Sequence, residues 1–135
     1  MDDRLATTTA RALERMTRAR SDELRARYEL GRIVHFARYD ETRGSEAVRE
    51  LATVTSLDIS AVRRLARVTE IVGPKEFETW LAASLAHGYA FTWSHLEVLA
   101  NIRVRAARAK LATEAIAARM SVRELRARLR LFGSR

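Results

Sequence analysis

The sequence predicts an all-α protein: a helix-turn-helix supported by a helical bundle and preceded by a long N-terminal helix or helix pair. Ala, Leu, Arg and Glu dominate the chain, and these residues lose little on entering a helix. Five glycines and one proline leave little material for the turns that a strand-rich fold of 135 residues would need. Apolar residues also recur three and four apart, as at Val62 and Leu65 or Val122, Leu125 and Leu129, the spacing of one helix face.

Residues 3 to about 38 read as helix, with a break expected near Ser21, where "SDE" offers a hydroxyl cap followed by two acids suited to a first turn. The first segment carries Leu5, Leu13 and Met16 between arginines, a thin stripe that calls for a partner. The second, "ELRARYELGRIVHFARY", places Leu24, Tyr28, Leu30, Ile33, Val34 and Phe36 in the expected core. A turn is expected over "DETRGSE" (Asp40–Glu46), then helices at about 45–55 and 58–72, the latter stopped by Gly73-Pro74. Helices at about 75–86, 94–101, 104–119 and 121–131 complete the chain, separated at "HGYAFT" and before Ser121. Ser94-x-x-Glu97 and Ser121-x-x-Glu124 both read as capping boxes, a hydroxyl at the N-cap with a carboxylate three residues on to return the bond. Two units are expected: residues 1–38 for dimerisation or docking, and residues 39–135 holding the helix-turn-helix and bundle.

Charge is distributed unevenly. Residues 1–100 hold 15 basic and 15 acidic side chains, whereas residues 101–135 hold ten basic side chains against Glu114 and Glu124, so the whole net charge of +8 sits in the last quarter. A one-sided block favours a polyanionic partner over a mixed, solvated surface. Lysine appears only at Lys75 and Lys110. GC-rich coding also produces such an arginine skew, which by itself says little about phosphate recognition. With no cysteine there is no disulfide, cysteine-ligated zinc or thiol nucleophile. The acidic start "MDDRLATTTARALERM" never reaches an apolar run, so neither signal peptide nor membrane anchor is expected, and the expected location is cytoplasmic.

The stretch "LATVTSLDISAVRRLARV" (Leu51–Val68) meets most needs of a DNA-reading helix-turn-helix. Leu51 supplies an apolar anchor, Ala52 the small residue where two helices cross, and Leu57 follows the turn, while Val62 and Leu65 face inward. Asp58 is an apt N-cap, which sends Ile59, Ser60, Arg63, Arg64 and Arg67 to the exposed side. Two positions fit poorly. Thr55 stands where an apolar residue is usual, and Ser56 where glycine would relieve a left-handed turn costing about 1 kcal/mol.

Beyond this stretch, "RVTEIVGPKEFETWLAASLAHGYAFTWSHLEVLANI" and "AIAARMSVRELRARL" resemble the central domain of ParB-type partition proteins through Gly88, Ser94-His95 and Ser121-Val122-Arg123-Glu124 in that order. The chain also resembles the helical N-terminal domain of YhcG-type nucleases at "YELGRIV" (Tyr28–Val34), "TWSH" (Thr92–His95) and "SVREL" (Ser121–Leu125). Together these likenesses cover about residues 28–131. The first implies a DNA-binding helix-turn-helix over residues 48–68; the second implies a DNA-binding or assembly module attached to a nuclease. Neither resemblance extends to the nucleotide-binding and dimerisation domains of the one family or the PD-(D/E)xK domain of the other. CTP switching and nuclease activity are therefore not implied.

Other residue groups have plainer readings. His35, His87 and His95 lack the helical spacing of paired metal ligands, and His95 reads as a residue that fixes a helix start. Trp80, Tyr89, Phe91 and Trp93 could stack bases, but clustered around one inter-helix segment they read as core. Ser94 and Ser121 lack a histidine–acid partner or glycine elbow and read as caps. The last helix could lie on anionic lipid, yet its short apolar stripe suits the core, and DNA phosphate is the expected partner.

The expected function is non-catalytic reading of duplex DNA in partition, transcriptional regulation or mobile-element biology, by a bacterial, nucleoid- or plasmid-associated homodimer without cofactor, metal or membrane. Ser60, Arg63 and Arg64 are the candidates for base-edge or groove contacts. Arg67, Arg103, Arg105, Arg108, Lys110, Arg119, Arg123 and Arg126 are the candidates for phosphate. The alternative is a protein–protein adaptor or assembly module with the same fold, docking a partner through residues 1–38.

Overall fold

A computed structural model describes residues 2–37 and 44–133. Among these the secondary structure is entirely helical: α1 (Asp3–Ala37), α2 (Gly44–Thr55), α3 (Ile59–Ile71), α4 (Pro74–Ala86), α5 (Trp93–Leu99), α6 (Arg105–Ala117) and α7 (Val122–Gly133). None of these helices is long and apolar enough to cross a membrane. Most of the expected turn over residues 40–46, and the boundary drawn at residue 38, lie outside the described residues.

The break expected near Ser21 is absent, and α1 runs unbroken for 35 residues. Ser21 is a buried helical residue that shares a recess with Leu81, Ser84 and Tyr89. Its small side chain admits these neighbours, so it serves packing, and no backbone donors are freed for it to cap. The two halves of α1 differ sharply. Every residue from Asp2 to Arg20 is exposed, including Leu5, Leu13 and Met16, whereas Leu24, Tyr28, Gly31 and Val34 are buried. Ile33 and Phe36, expected in the core, are 54% and 61% exposed. They lie off the stripe that faces α3, and the Arg32 guanidinium sits 4.7 Å from the centre of the Phe36 ring.

Two apolar clusters organise the described residues. Val34, Val48, Ala52, Val62 and Ala66 join α1, α2 and α3. A larger cluster unites Leu24 and Tyr28 of α1 with Leu65 and Val68 of α3 and with α4 to α7, so the second half of α1 belongs to the body. Tyr28 stacks on Phe77 with ring centres 4.2 Å apart and donates to the Val72 carbonyl at 2.6 Å. Burial pushes its hydroxyl pKa up to about 12. Trp80, Tyr89, Phe91 and Trp93 are core residues, as their clustering suggested.

The start of α5 differs in detail from expectation. Its N-cap is Thr92, whose Oγ1 accepts from the His95 N–H at 3.4 Å while the Thr92 N–H donates to His95 Nδ1 at 3.1 Å. The imidazole takes the place usually held by Glu or Gln in a capping box. It can do so because its other nitrogen, Nε2, donates to the Met120 carbonyl at 3.0 Å, which fixes the ring. Ser94 falls within the first turn, too late to cap it. The box at Ser121 and Glu124 is present as expected: the Glu124 N–H donates to Ser121 Oγ at 3.1 Å, and the Ser121 N–H to Glu124 Oε1 at 3.4 Å.

Candidate nucleic-acid interface

The corner between α2 and α3 is built by local chemistry. Ser56 adopts the left-handed conformation, φ 59°, expected from its place in the turn. Leu57 N–H donates to the Ala52 carbonyl at 3.1 Å and Ser56 N–H to the Thr53 carbonyl at 3.3 Å, the paired bonds that close a helix through a left-handed residue. Thr55, at the apolar position, satisfies its hydroxyl by donating to the Leu51 carbonyl at 2.7 Å. A polar side chain is thereby accommodated in a half-buried site. Asp58 then caps α3, accepting from the Ala61 N–H at 2.8 Å. Three residues therefore separate the two helices, and both ends of the link are hydrogen-bonded.

This corner holds α3 by one side only. Val62, Leu65, Ala66, Val68 and Thr69 are buried, while Ser60, Arg63, Arg64 and Arg67 are exposed. Two shallow grooves flank the exposed side. One is lined by Arg63, Arg67, Glu70, Ile71 and Arg103, from the segment before α6. The other brings Arg64 and Arg67 together with Glu97, Asn101 and, from α7, Arg126. Arg67 lines both. Five of the expected contact residues thus share one face, drawn from three parts of the chain, and the cations outnumber Glu70 and Glu97.

Arg108 does not belong to this face. It is 3% exposed, and its Nε and Nη2 donate to the two Glu76 carboxylate oxygens at 2.7 and 3.0 Å. Nη1 donates to the Ile102 carbonyl at 2.6 Å and Nη2 also to that of Ile71 at 3.2 Å. A guanidinium so enclosed cannot reach a phosphate. It ties the end of α3 to the first turn of α4 and to the segment carrying Arg103. Arg128 likewise meets Glu114 at 3.2 Å. Counting charge along the chain overlooked both pairs because their acids lie 32 and 14 residues away.

The other expected contacts are dispersed. Arg105, Lys110, Arg119 and Arg123 are exposed but line neither groove. Ser60 lines a separate recess at the start of α3 with Arg49, Thr53, Leu57, Asp58 and Ile59. Sequence reasoning missed Arg49. Its signal was available, since Arg49 and Thr53 stand four apart on α2, off the face that buries Val48 and Ala52.

His95 is held beneath the Tyr89 and Phe91 rings. Burial pushes its pKa below the ordinary imidazole value, opposed by its hydrogen bond to Met120. The neutral imidazole donates from Nε2 and accepts at Nδ1, a structural role with both ring nitrogens engaged.

Comparison with family models, with curated proteins and with solved structures finds no match to the chain.

Proposed function

We propose that the protein binds duplex DNA without catalysing a reaction on it, with α3 entering the major groove. The observation carrying this reading is the one-sided support of α3, which leaves Arg63, Arg64 and Arg67 exposed between Arg103 and Arg126. An α-helix fits the major groove, and flanking cations suit the phosphate walls on either side. Arg63 and Arg64 are assigned to base edges or adjacent phosphates, and Arg67, Arg103 and Arg126 to the backbone. Partition, transcriptional regulation and mobile-element biology all use such a protein, and the ParB-type and YhcG-type resemblances agree with it.

Fluorescence anisotropy against random duplex, single-stranded DNA and RNA at two salt concentrations tests the reading. Duplex should bind most tightly and weaken steeply with salt. After site selection, the Arg63→Ala, Arg64→Ala double variant should lose about 1–3 kcal/mol per base contact and discriminate poorly between sites. Equal binding of all three nucleic acids, or no binding at low salt, rejects the proposal.

The exposed first half of α1 supports a second reading, an adaptor that docks a partner through residues 1–38. Leu5, Leu13 and Met16 are 56%, 57% and 50% exposed on a helix that makes its core contacts only further along. An intact fold with normal site binding by the Arg63, Arg64 double variant would favour the adaptor.

A further inference from the structure

The geometry points to a thymine-methyl contact at the start of α3, made by Leu57 and Ile59 beside Ser60; this rests on the duplex-binding reading above. The α3 side of the recess there combines features that a phosphate site lacks. Leu57 and Ile59, both apolar, are 38% and 36% exposed, and they line the recess together with Asp58, which they flank in the chain. An apolar surface offers a phosphate no hydrogen bond, and a carboxylate repels it. The Asp58 carboxylate already accepts from Ala61 N–H, so it is fixed in place at the helix start. The apolar rim made by Leu57 and Ile59 is therefore better suited to a base edge than to a phosphate.

Among the four bases only thymine presents a methyl group in the major groove, and apolar side chains are its usual neighbours. Ser60 adds a hydroxyl that can donate to or accept from the adjoining base edge. Arg49 and Thr53, on the α2 side of the same recess, supply a cation and a hydroxyl for the nearer phosphate strand. The division of labour along α3 follows: an apolar reader at its start, and guanidinium readers at Arg63 and Arg64 one turn on.

The test uses the duplex selected from a randomised library by the full chain, and the same duplex with deoxyuridine replacing each thymidine in turn. This exchange removes only the methyl group. At one thymidine or two adjacent ones, binding should weaken about fourfold per methyl, the effect of burying one carbon. Ile59→Ala and Leu57→Ala, each confirmed as folded by circular dichroism, should bind the thymidine and deoxyuridine forms of that position equally. The inference is overturned if the wild type is indifferent to every replacement, or if the variants keep the full penalty. Selection of a site with no thymidine also overturns it. In each of those outcomes duplex binding itself survives; loss of binding to every duplex instead removes both readings.

Discussion

A Cβ atom placed on Gly31 would stand 2.6 Å from the carbonyl oxygen of Leu65 and 2.6 Å from Thr69 Cγ2. The backbone of the long helix at Gly31 therefore lies directly against the Leu65 backbone and the Thr69 methyl of the proposed reading helix, with no room for a further methyl group. Alanine normally favours a helix over glycine by about 1 kcal/mol, but here the clash dominates, since one of the opposing atoms is rigid backbone. Gly31→Ala should destabilise the fold by about 1–3 kcal/mol, measured as a lower urea midpoint. An unchanged midpoint would mean that α1 and α3 do not cross at this residue.

The buried ion pair of Arg108 and Glu76 has a clear mutational signature. Removing one partner leaves an uncompensated charge inside, so Arg108→Met or Glu76→Leu alone should cost about 3–5 kcal/mol. Substituting both should restore much of that loss, because no lone charge remains. A thermodynamic double-mutant cycle from denaturant titrations supplies the coupling; strictly additive losses would contradict the pairing.

His95 makes stability depend on pH. Its pKa is lowered in the fold, so between the unfolded value of about 6.5 and the lower folded value the unfolded chain binds more protons. The associated stability is therefore full above that unfolded value and is lost as pH falls toward the folded one. Protonation would also set an N–H at Nδ1 against the Thr92 N–H, opposing the cap of α5. The urea midpoint should fall from pH 7.5 to pH 5, and His95→Gln should flatten that dependence while lowering stability at neutral pH. An equally steep fall in the variant would assign the titration to another group.

Grooved and dispersed arginines should separate on salt dependence. Five phosphate contacts give a slope of log K on log salt near about −4.5. Replacing Arg103 and Arg126 by alanine should reduce its magnitude by nearly two, whereas replacing Arg119 and Arg123, which line neither groove, should leave it almost unchanged. Equal reductions would place the phosphate path across the whole C-terminal surface.

Deletion of residues 1–20 should barely alter the unfolding midpoint, because every described side chain in that range is exposed. Mass in solution carries the second half of the experiment. If this helix joins two copies, light scattering should show a dimer for the full chain and a monomer for the truncated one; identical masses would exclude it as the dimer contact.

Much of this architecture could be read along the chain because local rules govern it. Helical composition gave the fold class, Asp58 and Ser121 marked real caps, and the left-handed Ser56 followed from its place in a turn. The misreadings share one cause, namely dependence on residues far away in the chain. Ser21 has the chemistry of a cap, but its place beside Leu81 and Ser84 makes it part of a continuous helix. Ser94 looked like a cap until the Met120 carbonyl, 25 residues from His95, fixed the ring that completes the box at Thr92. Arg108 has the same side chain as its neighbours in the basic block, and only the fold brings Glu76 to it. The face uniting Arg64 with Arg126 is likewise a product of packing.

The unbroken course of α1 also fixes a length. At about 1.5 Å per residue, the exposed residues before Thr17, which is the first to line a recess with the body, extend roughly 21 Å from it, comparable to the rise of about six base pairs of duplex at 3.4 Å each. No proline or glycine interrupts the helix between Asp3 and Leu30 to act as a joint. Whatever engages the tip is therefore carried by a strut of set span and bearing, so that spacing between two engaged bodies is dictated by residue count: each inserted helical residue would advance the tip by about 1.5 Å and turn it through about 100°.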